Sequence, residues 1–144
     1  MSQFPPKHDP ALVHNRATLL TALRDAGAAF AGVVYYSDNG RCIIDHILVV
    51  DQDDNDIPDG QAVVSVMREY LCADRESVPV YVACSYSLHD ALKEFATRAV
   101  SLYHSNDKAS GDGDGGIAFD CEKGTVSLSH TNYHVESVHS KHDL

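Results

Sequence analysis

Between Cys42 and Met67 the chain carries six carboxylates, Asp45, Asp51, Asp53, Asp54, Asp56 and Asp59, and no Lys or Arg. Four of them crowd the hexapeptide DQDDND. A cluster of this kind suits either cation ligation or attraction of a positively charged surface. Spacing argues against the first. Asp51, Asp53, Asn55 and Asp59 match oxygen-bearing positions of a calcium loop, but Asp56 stands where the sharp turn needs Gly, and Ala62 where a bidentate Glu belongs. The second use needs only proximity. Carboxylates packed this closely repel one another, so a role beyond folding is expected, and these six residues are the candidate partner-binding set.

Other reactive groupings are weaker. The run GDGDGG holds Asp112 and Asp114 among glycines, a secondary partner-binding candidate. A phosphate cradle would need a preceding strand, a following helix and usually a Lys, whereas here the order is reversed and two acids replace the Lys. Histidines gather near the end as His130, His134, His139 and His142. On an extended strand His130 and His134 would lie about 13 Å apart, too far for one ion. They read as exposed strand and tail residues. Cys84 ends an apolar run five residues before His89, yet the segment CSYS lacks the glycines of a nucleophile elbow. No catalytic residue, metal site or cofactor is expected.

Composition agrees with a binding role. Against 21 acidic residues stand 11 basic ones, a formal charge of −10 on 144 residues. That balance disfavours direct contact with nucleic acid or anionic membrane. Hydrophobic content of 44% indicates a folded globule. The opening MSQFPPKHDP lacks a leader-like apolar run and the four cysteines form no C-x-x-C, so a reduced, cytoplasmic protein is expected.

Local signals place the elements. Asp9-Pro10 is a helix start, Leu12, Leu19, Leu23 and Ala26 recur on one face, and Gly27 is a stop, which predicts a helix over 10–26. Two apolar runs flank Asp38-Asn39-Gly40 and predict strands over 30–37 and 41–50 joined by a tight turn. After Pro58-Asp59-Gly60, the spacing of Val63, Val66, Met67, Tyr70 and Leu71 favours a short helix over a strand. A strand follows over 78–84. Ser87 with Asp90 resembles a capping box and opens the cleanest amphipathic stripe, over 87–104. Residues 105–116 are expected to form a flexible loop and residues 1–8 to be disordered. IAFDC and TVSLSH form a second hairpin, with a bulge or bend near Thr131-Asn132 expected to bring Tyr133 and Val135 to the core. The sum is a single α+β domain over 1–144: an antiparallel sheet of five to six strands with two or three helices on one face.

The segments NRATLLTALRDAGAAFAGVVYYSDNGRCIID, LHDALKEFATRAVSLYH and GDGDGGIAFDCEKGTVSL, with the closing TNYHVESVHSKHDL, resemble an uncharacterised family of small acidic proteins carried on proteobacterial plasmids and mobile elements. Members tend to carry a Trp in the acidic segment before the glycines, and this chain has none. The resemblance implies no activity, but it implies a setting of conflict with host defence. The leading expectation is therefore a non-enzymatic inhibitor, of anti-CRISPR or anti-restriction type, that covers a basic, nucleic-acid-binding surface. Alternatives are an immunity or antitoxin protein neutralising a basic nuclease, and a small metal-dependent hydrolase using the C-terminal histidines.

Overall fold

The computed structural model describes residues 9–38, 41–58, 63–70, 80–104, 113–132 and 138–144. In chain order the elements are α1 (Pro10–Asp25), β1 (Phe30–Asp38), β2 (Arg41–Val50), β3 (Val63–Tyr70), β4 (Val80–Ser87), α2 (Leu88–His104), β5 (Gly113–Asp120), β6 (Thr125–Asn132) and β7 (Val138–Asp143). Five strands form one antiparallel sheet in the order β2-β1-β5-β6-β7, and β3 pairs with β4 as a separate antiparallel hairpin. The class is α+β, as expected.

Both helices are built by local chemistry that the sequence announces. Asp9 caps α1, its Oδ2 accepting the Leu12 N–H at 2.9 Å, with Pro10 in the first helical position. Ser87 Oγ accepts the Asp90 N–H at the start of α2. The helices then bury matching stripes. Leu12, Leu19 and Leu23 of α1 and Leu88, Leu92, Phe95 and Ala99 of α2 meet Val33, Tyr35, Ile117, Phe119, Val126 and Leu128 from one face of the sheet. Each such Leu or Phe contributes about 1.5–3 kcal/mol through removal from water. Phe95 and Phe119 pack with ring centroids 5.3 Å apart.

Two polar contacts fix how these pieces sit. The Arg98 guanidinium forks onto Asp9, Nε to Oδ2 at 2.7 Å and Nη2 to Oδ1 at 2.6 Å, joining the start of α1 to α2. Asn15, buried on α1, donates from Nδ2 to the Met67 carbonyl at 2.9 Å and accepts the Met67 N–H at 2.7 Å. It thus stands in for a neighbouring strand on the edge of β3 that β4 does not cover.

The segment expected to be a short helix after residue 60 is strand β3. Val64 and Val66 are buried while Ser65 between them is exposed, a period of two. A short, β-branched apolar run satisfies both periods, and pairing with β4 decides for the strand. A second correction concerns the glycine run. The structure begins β5 at Gly113, inside the expected flexible loop, whereas residues 105–112 lie outside the described residues. A third concerns Thr131-Asn132: β6 pairs with β5 without a shift through Asn132, so no bulge falls there, while the alternative of a bend, with Tyr133 and Val135, lies outside the described residues. The register shift falls instead in β2, where Val34 pairs with His46 and Tyr35 with Ile44, leaving Asp45 bulged out. Strand β7, within the expected tail, completes the sheet. The Asn39-Gly40 turn and Asp59-Gly60 are outside the described residues.

Cys42 sits on β2, half-buried against the core. Burial pushes its thiol up to about 11. At mildly alkaline pH its thiolate fraction is then about 100-fold below that of an ordinary cysteine. Iodoacetamide should therefore modify Cys42 about 100-fold more slowly in the folded than in the urea-unfolded chain, as read by mass spectrometry of the labelled peptide. Equal rates would contradict this packing.

Candidate functional site

The acidic segment after β2 is a self-bonded turn. Asp51 Oδ1 accepts the N–H groups of Asp53 at 2.8 Å and Asn55 at 3.0 Å, and the Asp51 N–H donates to the Asn55 carbonyl. Asp54 takes a left-handed conformation, φ 62°, which a short polar side chain tolerates. The chain then returns to β2, where Asp56 bridges Val50 and the Ile57 N–H donates to the Val49 carbonyl. These amides hold the Asp51 carboxyl below the usual carboxylate range, the Asn55 N–H contributing most. One oxygen of Asp51 is therefore committed to the turn. Asp53, Asp54 and Asp56 point to solvent.

Two more acids join them from far along the chain. Because β1 lies between β2 and β5, the turn after β2 and the β5–β6 turn come to the same end of the sheet. There a hollow of about 480 Å³ is bounded by Phe30, Val50, Asp51, Asp54, Asp120 and Glu122. A second, of about 440 Å³, lies between Arg24, Asp51, Asp53, Cys121 and Glu122. The β5–β6 turn is closed by Gly124 at φ 69° and by the Asp120 carboxylate, which accepts the Lys123 N–H at 3.1 Å. Two arginines among the described residues reach this end: Arg24, whose Nε donates to the Cys121 carbonyl at 2.8 Å, and Arg16, whose Nη2 donates to the Gly124 carbonyl at 2.9 Å. Burial raises the Cys121 thiol, with Arg24 pulling it down and Asp120 pushing it up.

Among the described residues, the ion pairs Asp9–Arg98 and Asp90–Lys93 lie elsewhere, and none involves Asp51, Asp53, Asp54, Asp120 or Glu122. Arg16, Arg24 and Lys123 also stand at this end, but the five carboxylates outnumber them and none is ion-paired with those acids among the described residues.

The remaining predicted residues divide. Asp45 is exposed on the β2 bulge, about 20 Å along the strand from Asp51, so it belongs to the edge of the sheet rather than to the turn. Asp114 is exposed on β5 opposite Tyr36, at the other end of the strands. Asp59 and Asp112 are outside the described residues. Asp120 and Glu122 were not legible as site residues, because only the strand order reveals their neighbourhood. Among the described residues no three His, Cys, Asp or Glu converge as metal ligands.

The histidines expected to be exposed are otherwise placed. His130 is buried, its Nδ1 sharing a 2.7 Å hydrogen bond with the Tyr35 hydroxyl and its ring stacked on Tyr35 with centroids 5.8 Å apart. His142 on β7 packs on Tyr103, centroids 4.6 Å apart. His134 and the side chain of His139 are outside the described residues. No helix among the described residues is long and apolar enough to cross a membrane. No family model, curated protein or solved structure matches the chain.

Proposed function

We propose that this protein is a non-enzymatic binding protein whose acidic end docks on a basic surface of a partner protein. One observation carries the reading: Asp51, Asp53 and Asp54 share one end of the sheet with Asp120 and Glu122, without ion pairs among the described residues. Carboxylates grouped on two rigid turns attract Lys and Arg that would otherwise hold phosphates, so the partner loses its nucleic acid by occupancy. The resemblance to mobile-element proteins supplies the setting, in which the partner is a nucleic-acid-handling defence complex.

The test is a competition. Titrating the chain into a basic defence protein bound to labelled DNA should release the DNA. A D51N/D53N/D54N/D56N variant should need about tenfold more protein, since D51N keeps the side-chain oxygen that accepts the turn amides and only charge is lost. Release that is indifferent to these four replacements would overturn the reading.

A further inference from the structure

The face of the sheet turned away from the helices carries apolar side chains left in solvent. Along β1, residues of one parity fill the core, while Phe30, Val34 and Tyr36 of the other parity are 37%, 45% and 42% exposed. Leu48, opposite Gly32 on β2, is 37% exposed and adjoins them. Across β1 on the other side stand Gly116 opposite Val34 and Ala118 opposite Gly32, so β5 sets no large side chain beside the middle of the row. Contiguous apolar exposure of this kind marks an interaction face.

Strand register decides which partner fits. Phe30 lies directly opposite Asp120, and Tyr36 directly opposite Asp114. Opposed residues of an antiparallel pair share a face with Cβ atoms about 4.5–5.5 Å apart. Each exposed aromatic therefore leaves the sheet at a position next to an aspartate, the Phe30 ring then leaning along β1 over Gly32, and the two pairs are about 20 Å apart along β1. A second copy of a chain of formal charge −10 would bring like charge to this rim, so the complement is cationic. An aromatic face beside a carboxylate is the chemistry that favours a guanidinium: the planar group stacks on the ring while its N–H fork meets the acid. A lysine ammonium gains less from such a pair, being a strongly hydrated point charge.

We propose that this open face docks a basic protein surface through arginine side chains, one seated at Phe30–Asp120 and another at Tyr36–Asp114, with Val34 and Leu48 covered between them. The inference rests on the proposed function and gives it a chemical selectivity, arginine over lysine. Phe30 and Asp120 also border the hollow beside Asp51 and Asp54, so the face is continuous with the acidic end.

The experiment uses the full chain with labelled deca-arginine and deca-lysine, each long enough when extended, about 33 Å, to span both pairs. Anisotropy at fixed ionic strength should show deca-arginine binding at least about tenfold tighter. F30L/Y36L keeps apolar area and removes the rings, and it should lower arginine binding to the lysine level while leaving lysine binding unchanged. The single variants F30L and Y36L should each lose part of the preference, so one unstable variant does not stall the test. Equal affinities for the two peptides, or a preference that survives the loss of both rings, overturns this inference. If both peptides bind with affinity that falls with salt, the acidic-end reading survives that loss. If neither binds, both readings fall.

Discussion

Arg98→Met should lower the unfolding free energy by about 3 kcal/mol, toward the range measured when one partner of a buried ion pair is removed. Methionine retains most of the apolar stem, so packing on α2 changes little. Charge is what changes. Asp9 is 7% exposed and its carboxylate would keep only the Leu12 N–H as a partner, an uncompensated negative charge at the junction of α1 and α2. The D9N/R98M double variant should be more stable than R98M alone, because Asn still caps the helix and no charge is stranded. Urea denaturation of the three proteins measures both effects. An R98M chain within about 0.5 kcal/mol of the parent, or a double variant worse than the single, would contradict the junction described here.

Gly115→Ala should cost about 3 kcal/mol or prevent folding, at the upper end of what overpacking does. Tyr35, Gly115 and His130 form one row across β1, β5 and β6. The two rings reach each other over Gly115, where a Cβ would collide with the Ser129 carbonyl oxygen and stand 2.7 Å from the Tyr35 hydroxyl. The carbonyl belongs to the paired strand, so neither side can yield without losing the ladder. The adjoining Gly116 faces the other way, and a Cβ there would come 3.2 Å from the Val33 carbonyl. Gly116→Ala is the matched control and should cost less than half as much. Thermal or urea unfolding distinguishes them, and equal stabilities of the two variants would remove the Tyr35–His130 row from the account.

That row also shows where sequence reasoning runs short. Gly113 and Gly115 alternate with Asp112 and Asp114, which is strand periodicity, yet composition makes the run look like an unpacked loop. Glycine here supplies absence of a side chain rather than conformational freedom, and that need comes from Tyr35, eighty residues earlier. The helices and the first hairpin were legible because Asp9-Pro10, Ser87 with Asp90, and the apolar runs flanking Asn39-Gly40 act locally. Residues 63–70 were not, since one short apolar run fits both periods and only pairing with β4 chooses. The candidate site was half legible for the same reason. Asp51, Asp53, Asp54 and Asp56 are neighbours in sequence and stay together. Asp45 departs because a bulge and the strand residues after it separate it from Asp51, while Asp120 and Glu122 arrive through the order β2-β1-β5.

The association rate with a basic nucleic-acid-binding partner, followed by stopped flow as salt rises from about 0.05 to 0.5 M, probes the acidic end most directly. The parent chain should slow by at least about tenfold across that range, and D51N/D53N/D54N/D56N should start slow and respond weakly. A parent rate that does not move with salt would contradict attraction by these carboxylates.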